Sequence, residues 1–198
     1  MSQIVKTAIS KNYYAINNEI YDKRNVNGSS LNLNDVQTKI KIYEDRVSGW
    51  FLEIAEKLKS DNEAGFVILS ITIAYIEGNQ QFREGKMSEN NSKKFFIKGV
   101  RRIFDKENVP EDILKDYYKQ IRCGLFHDGM TRGNVVISGE FPDPLRYTNG
   151  IIKINPHKFL GKIKEDFQRY VNDLEKGYDK KLIENFVKRF DLEQGKKI

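Results

Sequence analysis

From Asn34-Asp35 onward, apolar side chains recur at three- and four-residue steps: Val36, Ile40, Tyr43, Val47, Trp50, Phe51, Ile54 and Leu58. This spacing predicts one long amphipathic helix with a single stripe turned inward, opened by Asp35 as a cap. Ser60-Asp61-Asn62 supplies a turn and a second cap. The next helix, over Glu63 to about Arg83, is apolar on nearly all sides between Phe66 and Ile76, which marks a central helix covered by its neighbours. Its apolar run is too short to span a bilayer.

A loop over Gly85 to Ser92 leads to a helix over Lys94 to Phe104, with Phe95, Phe96, Val100, Ile103 and Phe104 on one side and Lys98, Arg101 and Arg102 outside. Asn108-Val109-Pro110 breaks the chain, and Pro110 is well placed to start a helix at Glu111. That helix turns Ile113, Leu114, Tyr117, Ile121 and Leu125 inward and fades near Gly129. The pattern then changes. Val135-Val136-Ile137 is a short β-like run, and Asn149-Gly150 between Tyr147-Thr148 and Ile151-Ile152 is a hairpin signal. Pro142 and Pro144 discourage a long sheet, so a small solvent-facing β-hairpin or meander is expected at about 134–154. Beyond Pro156, Phe159, Leu160, Ile163, Phe167, Tyr170, Val171 and Leu174 restore the helical period. Gly177 interrupts it, and Leu182, Ile183, Phe186, Val187 and Phe190 form a last helix. The fold class expected is all-α: a helical bundle of about five main helices with a small inserted β-hairpin.

Residues 1–34 are polar and rich in asparagine, and a loosely packed, partly disordered N-terminal segment is expected there. Residues 35–198 then form the helical domain with its insertion at about 134–154. Over the 198 residues, 39% apolar and 31% charged side chains are enough for a core and a solvated surface. The opening Met1-Ser2-Gln3-Ile4-Val5-Lys6 has no apolar signal core. A single cysteine, Cys123, excludes an internal disulfide framework, and with only two histidines an ordinary Cys/His zinc site is excluded as well. A cytoplasmic protein without cofactor, metal or membrane association is the expectation. The net charge of +6 is compatible with a polyanionic partner.

Searches for phosphate-binding Gly-rich loops, a dinucleotide fingerprint, a Gly-x-Ser-x-Gly elbow and a His-Glu-x-x-His pair find nothing. The segment that stands out is Tyr117-Tyr118-Lys119-Gln120-Ile121-Arg122-Cys123-Gly124-Leu125-Phe126-His127-Asp128. On a regular helix, the five residues from Arg122 to His127 span roughly 140° and 7.5 Å, which places the two on opposite flanks of the apolar stripe. A long guanidinium can still converge with the imidazole, more easily where a second copy of the helix packs alongside. His127 ends the helix, where a cation is favoured, and an imidazole that titrates near neutrality beside a fixed guanidinium suits a phosphodiester substrate. The spacing alone fits equally a helix-ending histidine and a salt-bridged arginine. Cys123, Asp128, Lys119 and Arg132 are candidates for supporting roles: Asp128 as an orienter of His127, Lys119 and Arg132 as phosphate contacts, Cys123 as a buried hydrophobe or thiol. Glu77 and Gln80, at the polar end of the second helix, either face the same cleft or mark its exit to solvent.

The Arg-x4-His of Ile121-Arg122-Cys123-Gly124-Leu125-Phe126-His127, closing a late helix of a bundle from about residue 35 to 130, resembles the HEPN superfamily (higher eukaryotes and prokaryotes nucleotide-binding domain). The resemblance implies a homodimer whose two motifs, Arg122 and His127 from each chain, meet at the interface. It implies metal-independent cleavage of RNA in a defence or toxin-antitoxin setting. The alternative it implies is a non-catalytic RNA-binding or interaction module, the protein partner of a toxin or a nucleotidyltransferase. Active members commonly carry Asn, Asp or His after the arginine; this chain has Cys123.

Overall fold

The computed structural model describes residues 5–17, 19–25, 27–104 and 109–194. Asn108, the first residue of the expected chain break, and the four residues at either end lie outside them. Helices dominate, with two small sheets. α1 (Val36–Val47) begins at Asp35, whose carboxylate accepts from the Gln37 and Thr38 backbone N–H groups. It runs through a π-helical turn at Ser48–Leu52 into α2 (Glu53–Lys57). α3 (Gly65–Glu84) is the central helix and packs against α4 (Ser92–Phe104), α6 (Pro156–Lys176) and α7 (Lys180–Gln194). Between α4 and α6 stands α5 (Glu111–Asp116), continued by π-helical turns over Tyr117–Arg122 and Gly124–Asp128. Counting each continuous helical stretch once gives six among the described residues, against an expectation of about five. Left-handed Gly177 separates α6 from α7. Ile40, Tyr43, Ile68, Ile73, Ile76, Phe96, Phe159, Tyr170 and Phe186 form the centre of the core.

The long first helix departs from its expected single stripe. The Glu53 N–H bonds to the Ser48 carbonyl, five residues back, and this wider turn rotates the helix beyond it. Leu52 and Ala55 are therefore buried, while Trp50 (41% exposed), Phe51 and Ile54 face outward. Gly49 sits where the N-terminal segment crosses the helix. A Cβ there would lie 2.5 Å from the Lys11 side chain. The first turn of α3 is also less covered than expected, with Phe66 and Val67 exposed.

The N-terminal segment is not loose where it is described. β1 (Thr7–Ala8), β2 (Tyr13–Ile16) and β3 (Glu19–Asp22) form an antiparallel meander, with Ile16 paired to Glu19 across a tight turn begun by left-handed Asn17. Its inner face buries Ile9, Tyr13 and Ile20. Asp45 of α1 clamps it by accepting from the Ser10 hydroxyl (2.5 Å), the Asn12 N–H (2.7 Å) and the Asn12 amide (2.6 Å).

The inserted β segment is larger than a hairpin. β5 (Leu145–Thr148) and β6 (Ile151–Ile154) pair antiparallel across Asn149-Gly150 as expected, but β4 (Val135–Ile137) adds to β6 in parallel. Nor does it face solvent alone, because Ile152 and Ile154 are fully buried. Asn155 then links sheet to helix. Its side-chain oxygen accepts from the first N–H groups of α6, and its amide donates to the Gly139 and Phe141 carbonyls.

Candidate functional site

Arg122 lies on the π-helical continuation of α5, facing α3. Its Nε (3.3 Å) and Nη2 (3.1 Å) both donate to Glu77 Oε2, and the two side chains are only 19% and 13% exposed. The other carboxylate oxygen of Glu77 accepts from the hydroxyls of Ser88 (2.7 Å) and Ser92 (2.8 Å), and the Gln81 amide donates to Ser88 at 3.3 Å. One carboxylate thus ties together α3, the loop after it, the start of α4 and the motif helix. The guanidinium also lies against the rings of Phe126 (4.9 Å) and Tyr118 (5.7 Å). Tyr118 in turn packs edge-on against Phe96. Burial, with Cys123 beside it, pushes the Tyr118 phenol above its ordinary range. Of the two roles weighed for Glu77, facing the arginine is the one observed. Gln80 instead joins a different cluster, around Arg102. Ser88 and Ser92 were not anticipated, because a serine in a polar loop carries no sequence signal of its partner.

The helix geometry differs from the regular one assumed for the motif. The Cys123 N–H bonds to the Tyr118 carbonyl, five residues back. A turn of this kind brings residues five apart nearer to one face than the roughly 140° of a regular helix. The chain stays wide here because it is folded over at its end. Left-handed Gly129 reverses it, the Arg132 N–H donates to the Gln120 carbonyl at 2.8 Å, and residues 130–132 lie directly on Gly124. A Cβ at 124 would stand 2.5 Å from the Met130 carbonyl oxygen and 2.9 Å from the Arg132 nitrogen, so only glycine fits.

His127 is exposed at the end of this helix, beside exposed Phe126 (51%) and Met130. It makes no hydrogen bond to Arg122; the charge beside it is Asp128. Asp128 is held below the usual carboxylate range by the Arg132 guanidinium, which donates to both its oxygens, and then by His127. Asp128 and Arg132 therefore form a surface hook that closes the reversal. Lys119 is exposed on the same helix, and Cys123 is half-buried with a free thiol. Within one chain the site is a part-buried guanidinium held against α3, with an imidazole exposed at the end of the same helix. Among the described residues no group of three or more His, Cys, Asp or Glu side chains is placed to hold a metal, and no helix is long and apolar enough to cross a membrane.

Compared with known proteins, the chain matches no family model, no curated protein and no solved structure.

Proposed function

We propose that the chain is a HEPN-like, metal-independent endoribonuclease that acts as a homodimer, with Arg122 and His127 of two copies forming the site. The observation that carries the reading is the fixing of Arg122. Two of its donor positions are committed to Glu77 and its plane is bounded by Tyr118 and Phe126, while Nη1 has no hydrogen-bond partner among the described residues. A cation set in place before substrate arrives stabilises charge on a phosphorane without reorganising. Exposed Phe126 and Met130 beside His127 supply apolar surface for a second copy to cover.

In the reaction, the ribose 2′-oxygen attacks the adjacent phosphorus and the bond to the 5′-oxygen breaks. One His127 takes the proton from the 2′-hydroxyl and the other delivers one to the leaving 5′-oxygen. Arg122 stabilises the charge on the non-bridging oxygens. The products are a 2′,3′-cyclic phosphate and a 5′-hydroxyl, and DNA is not cut because it lacks the nucleophile. The setting that goes with such chemistry is a defence or toxin-antitoxin one, in the cytoplasm.

A second reading rests on the same ion pair. Glu77 neutralises Arg122, and Cys123 replaces the polar neighbour of active relatives, which favours a dimeric RNA-binding or interaction module without catalysis. A ribo-oligonucleotide and its counterpart with a 2′-deoxy residue at the cut site separate the two. The enzyme cuts the first in EDTA, binds both and leaves the second whole. Binding of both with cutting of neither establishes the module. A monomer by light scattering at micromolar concentration removes the composite site.

A further inference from the structure

Arginines in this fold are fixed in two ways. Arg102 commits all three of its nitrogens, with Nε on Gln80 (3.4 Å), Nη1 on Asp166 and Nη2 on Asn79 (3.1 Å). Arg122 commits two, Nε and Nη2, both to Glu77 Oε2. Its own helix supplies no hydrogen-bond partner among the described residues, only the rings of Tyr118 and Phe126. The guanidinium is therefore placed from outside, by α3. Glu77 is held in turn. Two guanidinium N–H groups on one oxygen and the Ser88 and Ser92 hydroxyls on the other fill the about four acceptor positions that a carboxylate offers. Turning or withdrawing it breaks several of these bonds at once. The two serines come from different elements. Ser92 opens α4, and Ser88 is buried in the loop between left-handed Gly85 (φ 65°) and left-handed Glu89 (φ 40°). A non-glycine residue at positive φ costs backbone energy, so contacts must hold the loop in this shape. The Ser88 hydroxyl, donating to Glu77 and accepting from the Gln81 amide, supplies two of them.

Neutralising an arginine does not call for this arrangement. A part-buried ion pair gives little stability over an apolar pair of the same size, because both groups lose water. What the arrangement does give is a guanidinium with a fixed plane and one nitrogen, Nη1, left over. We propose that Glu77, Ser88 and Ser92 are positioning residues: they form a cradle that holds Arg122 with Nη1 free for a non-bridging oxygen of the scissile phosphodiester. The cradle stands on the geometry alone, whereas its effect on cleavage rests on the ribonuclease reading. In that reaction a held guanidinium meets the charge of the phosphorane without first losing side-chain freedom. The carboxylate beside it opposes binding of the anionic substrate, so the cradle acts on turnover rather than on affinity.

Methylguanidinium tests the cradle without RNA. Arg122→Ala removes the guanidinium and leaves Glu77, Ser88, Ser92, Tyr118 and Phe126 around its place. Followed by NMR chemical shifts of the full chain, methylguanidinium is expected to bind Arg122→Ala below about 20 mM, and both wild type and Arg122→Ala/Glu77→Gln at least about fivefold more weakly. With Arg122 gone the carboxylate has no counter-charge, so its neutral isostere is expected to fold, which circular dichroism checks. Equal binding to the three proteins overturns the cradle, as does no binding to Arg122→Ala. The effect on the reaction is read from Ser88→Ala/Ser92→Ala, which keeps both charges and removes only the bonds that hold the carboxylate. Its kcat on an unstructured RNA is expected to fall about tenfold, with KM within about twofold of wild type. An unchanged kcat, the result of a merely structural pair of serines that lowers only the melting temperature, overturns the positioning role. A wild type that cuts no RNA ends the ribonuclease reading and with it the role in cleavage, while the methylguanidinium titration still decides the cradle.

Discussion

Removing Glu77 should be costly, because it holds three partners at once. In Glu77→Ala, Arg122 loses the acceptor of two hydrogen bonds, and Ser88 and Ser92 each lose one to a charged acceptor. Breaking a fully buried ion pair costs about 3–5 kcal/mol. Here 19% and 13% of the side chains remain exposed, so solvent recovers part of that. With the serine hydroxyls re-solvated in part, the expected loss is about 3 kcal/mol. Arg122→Ala should cost less, about 2 kcal/mol, because the carboxylate keeps its two serines. The double variant should lie about 1–2 kcal/mol short of the sum, the coupling that a direct pair shows. Urea unfolding of the four proteins, with unchanged slope, measures the cycle. Additivity within about 0.5 kcal/mol would show that Glu77 does not hold Arg122.

Gly124→Ala should destabilise by about 1–3 kcal/mol, since its Cβ must displace the Met130 carbonyl and the Arg132 amide; a melting temperature equal to wild type would refute the fold-over. Trp50, the only tryptophan, should emit at long wavelength and be readily quenched by acrylamide in the native protein; a blue-shifted, protected indole would mean that the stripe runs on without the π turn. At high pH, burial pushes the Tyr43 phenol up to about 12 and raises the Tyr75 and Tyr170 phenols as well. These groups hold their protons in the folded state after the unfolded chain has begun to lose them. Their contribution is therefore complete below about pH 10 and falls as pH rises toward the folded values. Urea midpoints at pH 9 and 11 should differ in that direction, and equal midpoints would refute it.

The helices were legible because each buries a periodic apolar face, and α3 through its unbroken apolar run. What was not legible has two physical sources. A π turn has no sequence signature. The stripe read through Trp50, Phe51 and Ile54 went wrong at the place where Lys11 crosses Gly49, a contact 38 residues apart in the chain. The N-terminal sheet was obscured by its asparagines, although Tyr-Tyr-Ala-Ile and Glu-Ile-Tyr-Asp flanking Asn17 carry the aromatic and β-branched residues that favour strands. At the site, Arg122 and His127 were singled out by type and position and Glu77 was weighed with Gln80, whereas Asp128 and Arg132 were read separately, as an orienter of His127 and a phosphate contact, and their pairing was missed. Asp128 turned out to serve Arg132 more than His127. Ser88 and Ser92 could not be found, since what gives them a role is the distant carboxylate.

Cleavage of an unstructured RNA by purified wild type, Arg122→Ala and His127→Ala, in EDTA and with the product ends identified, is the most direct test of the proposed chemistry. Wild type should release fragments ending in 2′,3′-cyclic phosphate, and each folded variant should be slower by at least about 100-fold, the scale of losing one proton-transfer group or one charge-stabilising donor. Equal rates with and without His127, or no cleavage by wild type, would contradict it.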